Sequence, residues 1–167
     1  TEEFANAFGA GNKAYGYAAS AVGNNNQATG DYSSAFGHSN VTSGYVANAF
    51  GYGNTASGNY ASAFGLFNEV SGEAASVVGY YNIVNGNSSN AIGRGNNVAG
   101  NSSTAVGNDN TITAEDAFAL GNNTSVSLAN SVALGSGSVA AAINNVKGNS
   151  SYTKWAGVDD VVGVVSV

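Results

Sequence analysis

Few side chains in this sequence could do chemistry, and their spacing works against it. His38 is the single histidine. It follows Gly37 in a turn with no nucleophile beside it, so it reads as a solvated turn residue and not as a general base. The acidic pairs Glu2-Glu3, Glu115-Asp116 and Asp159-Asp160 are adjacent in the chain. Neighbours on a strand point to opposite faces, which is poor geometry for shared acid–base work. There is no Cys, which rules out a thiolate metal site and a disulfide framework. Asp109, Glu115 and Asp116 offer at most an isolated surface ion, and the calcium-binding nonapeptide with its repeated Asp is missing. Gly9-Ala10-Gly11 and Gly93-Arg94-Gly95 are followed by no helix that could receive a phosphate. No hexapeptide period exists, which excludes an acyltransferase built on a left-handed helix of such repeats. Sequons such as Asn40-Val41-Thr42 and Asn87-Ser88-Ser89 are what chance delivers in an Asn- and Ser-rich chain. The expectation is a non-enzyme with no catalytic residue, no cofactor and no metal.

Composition narrows the class further. The 167 residues include 24 Gly, no Pro and no Met, and only 8% are charged. Ordinary domains carry about 25% charged residues, so Asn, Ser and Thr must keep this one wet. Disorder is disfavoured, because 43% of the residues are hydrophobic and 9 Tyr and 7 Phe are present. The net charge is −6, with only Lys13, Arg94, Lys147 and Lys154 opposing the acids. No basic patch exists to hold phosphates, so neither nucleic acid nor an anionic membrane is an expected partner. No run approaches the roughly 18 apolar residues of a membrane span, and no signal peptide opens the chain. With no initiator Met, the expectation is an excised or processed segment, with any secretion signal or anchor outside it.

The organising feature is a glycine at every fourteenth position, from Gly9 through Gly23, Gly37, Gly51, Gly65, Gly79, Gly93, Gly107 and Gly121 to Gly135. Before each stands a bulky apolar residue: Phe8, Val22, Phe36, Phe50, Phe64, Val78, Ile92, Val106, Leu120 and Leu134. Two before stands Ala, except at Val77. Three after stands Asn, from Asn12 to Asn110, then Thr124 and Ser138. Seven after comes a second glycine, from Gly16 to Gly100, replaced later by Ala114, Leu128 and Ala142. A coiled coil fails, because each helical glycine costs about 1 kcal/mol relative to Ala. Collagen fails for want of Pro and of Gly at every third position. What remains is an all-β parallel solenoid of about ten 14-residue coils, with two short strands and two turns per coil.

Side chains alternate along a strand. Ala5 and Ala7 share one face of the first strand, and Asn6 and Phe8 the other. In the second strand Asn12, Ala14 and Gly16 face one way, Lys13 and Tyr15 the other. So short a coil encloses little volume, so the small residues are expected inside. The converse, with Ala outward, would overpack the interior with ten large side chains. The Asn column either caps turn amides in a stacked ladder or holds a left-handed turn conformation. At about 4.8 Å per coil, the bulky column becomes an apolar stripe roughly 45 Å long. No water-soluble monomer should leave it exposed, so the ten stripe residues are expected to bury against other copies around a common axis.

The five-residue pattern at Ala47-Asn48-Ala49-Phe50-Gly51 and Ser131-Val132-Ala133-Leu134-Gly135, with the second Asn-x-Ala-x-Gly half, resembles the YadA-like head of trimeric autotransporter adhesins. The likeness covers residues 4 to about 142. It implies a left-handed parallel β-roll assembled as a parallel homotrimer. It also implies a parent protein anchored in the bacterial outer membrane through a domain absent from this segment, and adhesion at the cell surface as a virulence function. Residues 1–142 are then the roll head. Residues 143–167, which lose the 14-residue frame, are the transition from head to neck, with Tyr152 and Trp155 as packing residues.

Function should lie in what varies. The turn after the repeat glycine becomes apolar at Leu66-Phe67 and Tyr80-Tyr81, extended by Tyr52 and by outward Ile83. These six are the candidate receptor-binding residues, although the same turns could instead enlarge the subunit interface. Tyr17, Tyr32, Tyr45 and Tyr60 line the opposite turn and are the next candidates. The expected partner is a host receptor or matrix protein: collagen, fibronectin, laminin, or an immunoglobulin-type adhesion receptor such as CEACAM. The alternative is a structural spacer or autoaggregation module with no receptor of its own. An ice- or glycan-binding face is disfavoured, because the outward column is too irregular for a Thr ladder.

Overall fold

The computed structural model describes residues 3–141 and 165–167. Each coil contributes one long and one short strand, as in Asn6–Ala10 and Lys13–Ala14 of the first. The long strands stack in parallel into an eleven-stranded sheet and the short ones into a ten-stranded sheet. The register advances by one repeat per coil: Phe8 pairs with Val22, Phe36 with Phe50, and Phe50 with Phe64. Among the described residues no helix occurs. Val165–Ser166 adds the last long strand, pairing with Val132 and Ala133.

The two sheets close on a thin core of the small residues. Ala21, Ala35, Ala49, Ala63, Val77, Ala91, Ala105, Ala119 and Ala133 are buried on the long strands. The facing short-strand column runs Ala28, Thr42, Ala56, then Val70, Val84, Val98, Ile112 and Val126. The interior therefore takes β-branched side chains in its later coils, and Ile112 is among the largest fully buried ones.

The Asn column is a ladder. Asn54 donates from its backbone N–H and from Nδ2 to Oδ1 of Asn40, each at 3.0 Å. Its Nδ2 also reaches the carbonyls of Phe50 (3.2 Å) and Gly65 (2.7 Å), so two amide protons serve three acceptors. Its own Oδ1 then accepts from N–H and Nδ2 of Asn68. The pattern ends where Thr124 donates to Asn110 Oδ1 through its hydroxyl (2.7 Å). The left-handed conformation sits one residue earlier, at Asn25, Ser39, Phe67, Tyr81, Asp109 and Asn123, with φ between 50° and 57°.

The two glycine columns answer different demands. Gly79 has φ of 138°, and a Cβ there would fall on the carbonyl oxygen of Gly93 in the next coil. Gly58 lies outside the left-handed region, and the close backbone carbonyls of Gly72 and Ser71 keep a side chain out.

Candidate interaction surfaces

The bulky column lies outside, as the alternation of faces requires. Phe64, Val78, Ile92 and Leu120 are 41%, 52%, 50% and 45% exposed, whereas the Ala or Val directly before each is fully buried. Phe36, Phe50 and Phe64 shield one another by stacking, with centroids 5.0 and 5.1 Å apart and planes within 8°. The stripe from Phe8 to Leu134 thus presents a continuous apolar face on the long-strand sheet.

At the turn after the repeat glycine, the chain brings most of the six receptor candidates together. Tyr52 meets Phe67 edge-on at 5.0 Å, Phe67 stacks on Tyr81 at 5.3 Å, and Tyr81 meets Tyr80 at 6.0 Å. Leu66 pairs in register with Tyr52 on one side and Tyr80 on the other. Ile83 lies around the corner, on the short-strand sheet between Glu69 and Asn97.

Two further residues belong to this row. His38 stacks on Tyr52 at 4.7 Å with planes 5° apart, and its buried Nδ1 finds no hydrogen-bond partner. It is therefore half-buried against a ring, and not the solvated turn residue that its isolation in the sequence suggested. The Arg94 guanidinium stands 5.6 Å from the Tyr80 centroid at the other end. Both could have been found by stepping one repeat outward from Tyr52 and Tyr80.

The row carries strain. Phe67 and Tyr81 hold φ of 50° and 55°, where a bulky L-residue costs on the order of 1–2 kcal/mol. Other coils place Gly11, Gly53 or Gly95 there instead. Gly53 also makes room, since a Cβ on it would lie 2.6 Å from the Phe67 ring. Packing of the roll does not require these aromatics, because the neighbouring coils close the same turn without them.

The opposite edge carries a second aromatic row. Phe4, Tyr17, Tyr32, Tyr45 and Tyr60 meet in succession edge-to-face, with centroids 5.4–5.7 Å apart. Tyr17 and Tyr45 occupy one turn position, while Phe4, Tyr32 and Tyr60 occupy the next, so the contacts zigzag between residues 13 and 15 apart. Backbone bonds lock the turns, Tyr32 N–H to Tyr17 carbonyl and Tyr60 N–H to Tyr45 carbonyl at 2.8 Å.

Asp109 lies at the first of these edges and Glu115 and Asp116 at the second. Among the described residues no three His, Cys, Asp or Glu gather closely enough to hold a metal ion. The expectations for Tyr152, Trp155 and nearly all of the 143–167 segment lie outside the described residues.

The YadA head domain repeat matches residues 14–40, 28–45, 49–68 and 113–138. The coils in these stretches match YadA head domain repeats. The parallel solenoid is consistent with a YadA-like head. The matched stretches leave out residues 69–112, where the coil geometry continues but the inner column turns to Val and Ile and the Tyr80–Tyr81 turn appears. YadA-like heads are adhesin modules of the cell surface, and this family and fold point to a structural protein and not to an enzyme. A comparison with curated proteins gave no match.

Proposed function

We propose that this chain is the head of a trimeric autotransporter adhesin that attaches a bacterium to a host protein without catalysis. The roll is left-handed, and three copies stand parallel around a common axis with their stripes facing inward. An outer-membrane domain outside this chain anchors the assembly. The carrying observation is the exposed aromatic row built on strained turns at Phe67 and Tyr81. Large, rigid, partly exposed aromatics are what protein-binding surfaces use for anchoring, and the roll itself gains nothing from the strain. The partner class is a matrix protein (collagen, fibronectin or laminin) or an immunoglobulin-type receptor such as CEACAM.

The test is a binding screen against these four partners with the parent chain and the double variant Phe67→Ser, Tyr81→Ser. The expected result is binding by the parent and a loss of at least about tenfold in the variant, with the assembly mass unchanged. Unchanged binding would reject the patch. Failure of every partner would favour the spacer or autoaggregation role.

The stripe has its own test. Replacing Phe36, Phe50 and Phe64 together by Ser removes three stacked rings from the proposed interface but leaves the buried Ala column intact. The variant is expected to sediment as a folded single chain, with its β-sheet circular dichroism retained. A variant that keeps the parent's assembled mass would show that the stripe does not hold the copies together.

A further inference from the structure

The second aromatic edge differs from the first in charge. Of the described residues only Lys13 and Arg94 are basic, and neither lies on it. At one turn position successive coils carry Glu3, Tyr17, Asp31, Tyr45, Asn59 and Glu73. One oxygen of Asp31 holds the Tyr17 N–H at 2.9 Å, and Asn59 does the same for Tyr45 at 3.0 Å. The second oxygen of exposed Asp31 is left for a ligand. Tyr17, Tyr32, Tyr45 and Tyr60 are all exposed. The N-terminal coils thus set tyrosine rings two coils apart, Tyr17 and Tyr45 at one position and Tyr32 and Tyr60 at the next, with Glu3 one coil before Tyr17 and Asp31 one coil before Tyr45.

We propose that this edge docks an extended, cationic polypeptide lying along the roll axis, at a site separate from the Leu66–Tyr81 row. Ring faces and carboxylates both attract ammonium and guanidinium groups, and no positive charge on the edge opposes them. The spacing selects the ligand's conformation. Two coils rise about 9.6 Å, and three residues of polyproline II span about 9.3 Å. A segment in that conformation with two Lys or Arg three residues apart meets the Glu3–Tyr17 pair with one basic side chain and the Asp31–Tyr45 pair with the other. Such a segment is already extended, so docking costs it little ordering entropy.

The probe is a fluorescent Pro-Pro-Lys repeat peptide, compared by anisotropy with a Pro-Pro-Glu peptide and with a Lys peptide of four-residue spacing. The Pro-Pro-Lys peptide is expected to bind best, and more weakly as salt rises. Tyr17→Ser with Tyr45→Ser should weaken binding about tenfold. Glu3→Gln with Asp31→Asn should weaken it and flatten the salt dependence, while Asn keeps the acceptor for the Tyr17 N–H. Phe67→Ser with Tyr81→Ser should leave it unchanged, so this site can fail while the receptor row stands, and the reverse. Equal binding of the three peptides, no binding, or indifference to the Tyr and acid variants would overturn the proposal. A Tyr variant that changes the assembly mass would also overturn it, by placing these rings between copies.

Discussion

Gly79→Ala is expected to break the stack in its middle. The new methyl would fall on the carbonyl oxygen of Gly93, and φ at this position is 138°. Neither strand can move aside, because each is hydrogen-bonded to coils above and below. A solenoid is stabilised by contacts between neighbouring repeats, so a failed contact at this point divides the roll into two shorter stacks. The expected loss is at least about 4 kcal/mol, read as a lower urea midpoint at fixed chain concentration. Gly137→Ala is the matched control. Its φ is 73° but nothing lies within 4 Å of the added Cβ, so only the backbone strain of about 1 kcal/mol applies. Equal midpoints for the two variants would contradict the close-approach account.

Asn54→Ala is expected to be nearly as damaging for a different reason. It removes three donated and two accepted side-chain bonds and leaves the Asn68 N–H and the Gly65 carbonyl without their side-chain partner in the buried interior. Each buried group left unsatisfied costs about 1–3 kcal/mol, so the total should reach roughly 3 kcal/mol or more. Asn54→Thr should recover part of this, because Thr124 already continues the ladder at one position through its hydroxyl. Equal losses for Ala and Thr would show that the side-chain bonds are not what the ladder contributes.

How much of this was legible in the sequence follows from the lengths over which each feature acts. The solenoid, its two strands per coil and the opposed Ala and bulky columns all follow from a fixed period and the alternation of faces. Residues such as Phe50 and Ala49 therefore occupy the places that pattern assigns. The Asn ladder was legible as one of two options. The sequence could not choose between them, because a side-chain ladder and a left-handed turn favour the same residue type. The structure separates them by one position, with Asn26 in the ladder and Asn25 at φ of 52°.

The aromatic contacts were harder to read. A 14-residue frame compares like positions, whereas Tyr17 meets Tyr32 and Tyr32 meets Tyr45 across unlike ones. His38 and Arg94 were missed for another reason. Each stands alone in its own turn, while its contact is with the ring one coil away.

The central claim is that an outward apolar stripe gathers three of these rolls into one head. Sedimentation equilibrium on the purified chain tests it most directly. The account predicts a mass near three times the 16.5 kDa of one chain; a clean monomer over the same concentrations would contradict it.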